Sequence, residues 1–366
     1  MQNYVLTCEL GLEALVKKEV QNKWYKITEV LDKAVYFEWW EDALAVMNLW
    51  SRFGNRVYLE LLSEENIRDF DAYFDAIWTV DWSQYVNDGY LLQINAKSIK
   101  SELHSEPALQ RLAKKSIINS IEKTRDFFES ENQGVIEIQI LIQNERLKVL
   151  LNTSGAGLFK RWYKSQSVDA PIKENLAAAL VQISHWKYSE NFYDPFCGSG
   201  TIPIEAVLIA RNIAPGKFRS FAFMDFDFYP KKYYIDALKE AKEGEYDKKY
   251  FVYASDIDPE NLEIAKENAR NAWVEDTIEF VCEDYKSIFK KYKVWHIVSN
   301  PPYGLRLEKE DIEDIHFSLA KIFYYEKFSG WIITSYPDFQ NINKQKYKKR
   351  KLYNGWELCY FYKKVI

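Results

Sequence analysis

From residue 191 onward, four short apolar runs each close on an acid or an amide. They are NFYD ending at Asp194, FVYASD ending at Asp256, TIEFVCED ending at Asp284 and VWHIVSN ending at Asn300. A further run, GWIITS, follows them. Helical stretches starting near Ile172, Thr201, Pro259 and Glu308 separate the runs. Strands in turn with helices predict a mostly parallel, doubly wound α/β sheet of Rossmann-like class. Ligands of such sheets bind outside the carboxyl ends of the strands. The polar strand ends are therefore expected to share one edge and one site.

The first run leads into DPFCGSGT and then the helix TIPIEAVLIARN. Glycines there let the backbone approach a ligand where a Cβ would clash. No lysine follows Gly200, so phosphate-cradling NTPase chemistry does not fit. A dinucleotide fingerprint needs a third glycine, and Pro203 stands in its place. An acid at the strand end suits a ligand with a cationic amino group, and S-adenosylmethionine carries one. A carboxylate at Asp256 can accept both ribose hydroxyls, and one at Asp284 can accept an adenine amine. Asp258 reads as the cap of the helix ENLEIAKENARNA.

The fourth run ends in Asn300-Pro301-Pro302-Tyr303. Two prolines remove two backbone donors, which leaves carbonyls to face a ligand without competition. The Asn300 oxygen and the Pro301 carbonyl can both accept from one planar –NH2. Tyr303 offers a face for stacking a heterocycle. The set suits an exocyclic amine that attacks a methyl group.

The front half has a different texture. YVLTC, AVYFEW and RVYLELL read as strands around two amphipathic helices, a βαββαβ-like order that suggests a ferredoxin-like unit over 1–62. A second α+β unit is expected over 63–153, with a long helix that Ser105 can cap. A Gly- and Ser-containing stretch over 154–170 reads as a linker to the catalytic part, 171–366. Asn354-Gly355 between two alternating runs predicts a type I′ hairpin near the C-terminus.

Net charge is −5 with a pI near 5.7, which excludes a wholly basic nucleic-acid binder. Basic residues nevertheless cluster at 97–125, at 146–164 and in KQKYKKRK at Lys344 to Lys351. Local basic surfaces attract phosphates even on an acidic chain. No run of about 18 apolar residues occurs, so no membrane segment is expected. Glu9 and Glu13 interrupt any apolar leader, and no secretory signal is expected. Cys8, Cys197, Cys282 and Cys359 form no CxxC pair, which suits a reducing cytosol. The histidines lack metal-ligand spacing, and no metal is expected.

Taken together, DPFCGSGTIPIEAVLIARNIAPG, NPPYGLRL, NTSGAGLFKRWY, APIKENLAAALVQISHW and LYNGWELCYFYKK resemble the THUMP-domain, S-adenosylmethionine-dependent RNA methyltransferases that make N2-methylguanosine. The likeness is to the RlmL type with a single methyltransferase domain, and it covers nearly the whole chain. It implies a class I methyltransferase domain behind a ferredoxin-like and THUMP region. The implied cofactor contacts are Asp194, Phe196, Gly198, Gly200, Asp256, Ile257, Asp284, Tyr285 and Glu174. Asn300, Pro301 and Tyr303 are the implied catalytic residues. RNA contacts are expected at Lys97, Lys100, Arg111, Lys114, Lys115, Lys160, Arg161 and Arg306. The implied partner is RNA, with 23S rRNA preferred to tRNA, and neither DNA nor membrane. One departure is Lys160-Arg161-Trp162-Tyr163-Lys164, where the family usually has KRGYR. Rival readings are a DNA adenine methyltransferase, a protein glutamine methyltransferase and a non-catalytic RNA-binding assembly factor.

Overall fold

A single long strand ties the front half together. The computed structural model describes every residue except 131–132, 166–170, 288–295, 303–308, 326–328, 337–338, 345–346 and 365–366. The ferredoxin-like order runs β1 (Gln2–Cys8), α1 (Glu13–Asn22), β2 (Lys26–Leu31), β3 (Ala34–Trp39), α2 (Asp42–Trp50) and β4 (Gly54–Glu64). Then come α3 (Phe70–Trp78), β5 (Leu91–Ile99), α4 (Glu106–Glu122), β6 (Val135–Gln143) and β7 (Arg146–Asn152). All seven strands form one sheet, in the order β2-β3-β1-β4-β7-β6-β5. β4 is 11 residues long and pairs with β1 on one edge and β7 on the other. The point between residues 62 and 63 therefore lies inside a paired strand, and the two front units share a sheet.

Side-chain alternation explains the layering. Every second residue of β6, from Ile136 to Ile142, is buried, as a strand with one covered face requires. α4 covers that face with Leu109, Ala113, Ile117 and Ile121, spaced at helical intervals. Ser105 occupies the N-cap position of α4, but its side chain caps nothing. Its carbonyl accepts instead from the amides of Ala108 and Leu109, and Pro107 sits in the first turn, where a missing N–H costs little.

The rear half holds α5 (Glu174–Ser184), β8 (Phe192–Asp194), α6 (Thr201–Ala210), α7 (Lys231–Glu243), β9 (Val252–Asp256), α8 (Pro259–Asn271), β10 (Ile278–Cys282) and β11 (His296–Ser299). α9 (Lys309–Tyr325), β12 (Ser329–Thr334), β13 (Tyr347–Asn354) and β14 (Glu357–Lys364) complete it. Its sheet runs β10-β9-β8-β11-β12-β14-β13. The first five are parallel neighbours, and β14 enters antiparallel between β12 and β13. The hairpin expected near the C-terminus is present, but its turn lies one residue later. Asn354 pairs with Glu357, so Gly355 and Trp356 are the central residues. Of these only Gly355 has positive φ, whereas a type I′ turn needs it at both.

The stretch expected as a linker is a packed seam over its described part. Thr153 donates to Val57 O, and Leu158 N donates to Asn55 O at 2.6 Å. Arg161 is buried and pairs its Nε with Glu205 Oε1 of α6 at 3.2 Å. Its other nitrogens donate to Leu158 O and Arg52 O. Tyr163 donates its hydroxyl to the same Glu205 oxygen at 3.0 Å, and Arg52 reaches Ile213 O at 2.7 Å. Arg161 is thus enclosed by carbonyls and a carboxylate and cannot meet RNA, contrary to the expectation above. Of the rest of the run 146–164, three cations have acidic partners, Arg146 at the surface and Lys148 and Lys164 largely buried, while Lys160 is exposed. Arg146 pairs with Glu65, Lys148 with Glu29 and Glu60, and Lys164 with Glu174. Trp162, the departure from KRGYR, donates to Asn271 O and packs edge-on against Phe218.

Removing one member of a buried pair strands the other charge and typically costs about 3–5 kcal/mol. Glu205→Ala is expected to lower thermal stability on that scale. Replacing both partners, as in Arg161→Met with Glu205→Leu, is expected to recover most of the loss in the same melting experiment.

Candidate active site

The carboxyl edge of the rear sheet gathers the polar strand ends around a cavity of 430 Å³. Asp194, Phe196, Gly198, Asp256, Ile257 and Asn300 of the expected set line it. Gly200 shapes the turn from behind. Its φ is +79°, and a Cβ there would meet Ala265 Cβ of α8 at 3.1 Å. The turn is held at three points. Cys197 N donates to Ser255 O, Gly198 N donates to Asp256 Oδ2 at 2.9 Å, and Asn268 Nδ2 donates to Ser199 O. Asp256 Oδ1 also accepts from Asp258 N at 3.0 Å and Asn261 Nδ2 at 3.3 Å. Asp258 caps α8 through Glu260 N, as read from the sequence.

Two buried acceptors face this cavity without a partner among the described residues: Asp194 Oδ2 and Asn300 Oδ1. A buried acceptor left unpaired costs about 1–3 kcal/mol, so each marks a place for a donor. The other Asp194 oxygen, Oδ1, accepts from Ser299 Oγ at 2.5 Å and Phe196 N at 3.2 Å. Ser299 is fully buried at the end of β11, and it ties that strand end to β8. Sequence reasoning missed it, although a hydroxyl beside a strand-end amide was there to be seen. It also missed Asn261 and Ile315, which come from α8 and α9 and line the same space.

Asp194 is only 1% exposed. Burial pushes its carboxyl up to about 7, against the Ser299 and Phe196 hydrogen bonds, which favour the charged form. Burial also drives the Cys197 thiol well up, helped by Asp194 and Asp256. A thiol so placed is a packing group rather than a nucleophile.

Other expected residues lie elsewhere. Asp284 Oδ1 accepts from Lys286 N at 2.8 Å and is not among the cavity's lining residues. Tyr285 packs its ring 4.8 Å from that of Phe196 and so supports the wall from outside. Glu174 is buried against Lys164 Nζ at 2.9 Å and lines a neighbouring cavity of 360 Å³ that shares Pro171 and Ile172 with the first. The ion pair engages one oxygen of the Glu174 carboxylate. Pro301 is buried and Pro302 lines the cavity. Tyr303 and Arg306 lie outside the described residues. Lys97, Lys100, Arg111, Lys115 and Lys160 are exposed, while Lys114 pairs with Glu129 at 2.8 Å.

The glycine turn, a strand-end carboxylate with a free oxygen and a second acid beside it define a class I S-adenosylmethionine-dependent methyltransferase. Residues 161–359 match the family described as "RMKL-like, methyltransferase domain", and residues 3–58 match the "RlmL ferredoxin-like domain". The chain belongs to this RMKL-like methyltransferase family. It is 38% identical over 97% of its length, and 94% of the relative's, to YpsC of Bacillus subtilis (strain 168), named there as a candidate RNA methyltransferase. It is similar to the solved structure of SMU.472 complexed with S-adenosylhomocysteine, with 33% identity, a TM-score of 0.90 and coverage of 100% and 98% of the two chains. It is also similar to a Listeria monocytogenes str. 4b F2365 protein described as a predicted N6-adenine-specific DNA methylase, with 35% identity, a TM-score of 0.90 and coverage of 100% and 96%. S-adenosylmethionine is the cofactor, and the unpaired acceptors in the cavity fit a ligand that brings amino donors and positive charge.

A pH dependence follows. The cationic cofactor favours the Asp194 carboxylate, so affinity is expected to fall as pH drops through about 7. The same burial destabilises the unliganded fold. A carboxyl raised from 3.8 binds its proton more tightly when folded, so stability is lost as pH rises from about 4 to 7. Asp194→Asn is therefore expected to raise the unliganded protein's Tm at pH 8, by a margin that shrinks as pH falls and vanishes only below about pH 4, and to abolish cofactor binding by calorimetry.

Proposed function

We propose that the protein methylates the exocyclic N2 of a guanosine in RNA, with 23S rRNA preferred to tRNA. The observation that carries this reading is the unpaired Asn300 Oδ1, set at the end of β11 next to the unpaired Asp194 Oδ2 at the end of β8. One acceptor is suited to the methyl donor and the other to the methyl acceptor. S-adenosylmethionine supplies an already activated methyl on a sulfonium.

The residues of this chain then need only to orient. Asn300 Oδ1 and the Pro301 carbonyl accept the two N–H groups of a planar amine, which pulls its lone pair out of conjugation and aims it at the donor side of the cavity. Tyr303 stacks on the base. Asp256 takes the ribose hydroxyls. Near-attack geometry replaces the entropy loss of a bimolecular encounter. No strong base is required, because the methylated amine is acidic enough to release its proton to water.

A base reaches such a site only outside its stack, which favours an unpaired or bulged target. The front sheet, including a THUMP unit over 63–153, is proposed to hold the RNA through Lys97, Lys100, Arg111, Lys115 and the exposed Lys160. Phosphate contacts of this kind predict affinity that falls with added salt. Adenine N6 is a second reading, because two acceptors on a planar amine suit it equally and the Listeria relative is described in those terms.

Nucleoside mass spectrometry of ribosomal RNA, tRNA and DNA from a deletion strain tests the assignment. Loss of N2-methylguanosine from large-subunit ribosomal RNA is the expected result, and loss of N6-methyladenine instead would favour the second reading. Asn300→Ala is expected to keep cofactor affinity within about twofold while turnover falls by at least about 10²-fold, on the scale of one lost transition-state contact. Asp256→Ala is expected to weaken cofactor binding about tenfold or more, the worth of charge-assisted hydrogen bonds. Turnover at the wild-type rate in the first variant, or unchanged affinity in the second, would reject the corresponding role.

A further inference from the structure

The C-terminal hairpin has a braced root and an unsupported aromatic tip. At the root, Leu352, Cys359 and Phe361 are fully buried. Arg350 of β13 donates to Gly11 O of the front half at 2.8 Å. At the tip, Trp356 is 101% exposed, and a Cβ placed on its neighbour Gly355 would have nothing within 4 Å. Leaving the largest side chain wholly in water forgoes the burial that would stabilise it by a few kcal/mol.

The register says where the tip stands. Ser299 of β11 lies opposite Ile332 of β12, which lies opposite Tyr362 of β14. β14 runs antiparallel, so its start projects past the carboxyl edge where the cavity opens. Trp356 is six positions before Tyr362, so it lies roughly 20 Å beyond the level of Ser299 at about 3.4 Å per residue. It is displaced sideways by two strand spacings, about 10 Å. Back from the tip along the edge strand β13, Lys351, Lys349 and Lys348 are exposed, opposite Tyr360, Tyr362 and Lys363. Lys349 and Lys351 lie over the rings of Tyr360 and Tyr353, which holds their stems along the hairpin. Glu357, the acid next to the tip, is engaged by Ser335 Oγ at 2.5 Å.

We propose that Trp356 is a stacking platform for an unpaired nucleotide a few positions from the target base, with Lys351 and Lys349 on phosphates further along the same strand. The proposal rests on the RNA reading above. An indole with open faces takes any base, because every base has a π-face, and the lysines supply charge without sequence preference. The hairpin would hold the single strand that enters the cavity, while the front sheet holds the rest of the RNA.

The test uses the full chain and a fluorescein-labelled 12-nucleotide oligoadenylate RNA, single-stranded and as a duplex with oligouridylate, read by anisotropy. Base stacking contributes about 1–3 kcal/mol, so Trp356→Ala is expected to bind the single strand roughly 5–150-fold more weakly. Trp356→Phe should stay within about threefold of wild type, and duplex binding should not change. Trp356→Ala should leave the salt slope of binding intact, whereas Lys349→Ala with Lys351→Ala should flatten it. Calorimetry with S-adenosylmethionine should give wild-type affinity for every variant, because none of these residues touches the cavity. Single-strand affinity within twofold of wild type for Trp356→Ala, with wild type binding well, overturns the stacking assignment and leaves the RNA reading standing. A wild-type protein that binds neither oligomer nor cellular RNA removes both.

Discussion

The molecule depends on a charge pair that no water reaches. Arg161 and Glu205 meet between the halves of the chain, and the guanidinium is completed by carbonyls from residues 52 and 158. Such a pair contributes little net stability over a well-packed apolar contact, but it tolerates only one geometry. That geometry joins the front sheet, through Arg52 and Leu158, to the helix that leaves the glycine turn. The position of the cofactor turn and the position of the front sheet are thereby set by the same side chains.

The rear sheet does the chemical assembly by topology alone. Parallel strands deliver Asp194, Asp256 and Asn300 to one edge although they are far apart in sequence. Ser299 then couples two of these ends across adjacent strands. A carboxylate fixed by one oxygen, with the other left open toward a cavity, is preorganised for a cation at a cost the unliganded fold carries.

Much of this was legible in the sequence because strand ends and glycine turns are local signals. The polar endings of the apolar runs placed the site on the correct edge, and Asp258 was read as a cap from its place before Pro259. What was not legible came from long-range contacts. Arg161 looks like any surface cation in a basic stretch, and nothing nearby in sequence announces Glu205 as its partner 44 positions later. The Lys164 partner of Glu174 is equally invisible in the sequence. The hairpin turn slipped by one residue because register is decided by Leu352 and Cys359 entering the core, not by the Asn-Gly pair alone. The division at residue 62 falls near the end of β4, a strand that closes one unit and pairs with the next.

That shared strand has a mechanical consequence. A sheet seven strands wide, continuous through β4 and bolted to the catalytic half at its seam, has no hinge at its middle. On the proposed reading, RNA held on the front half would meet the cavity at a fixed offset, and the methylated position would follow from its distance to the held feature.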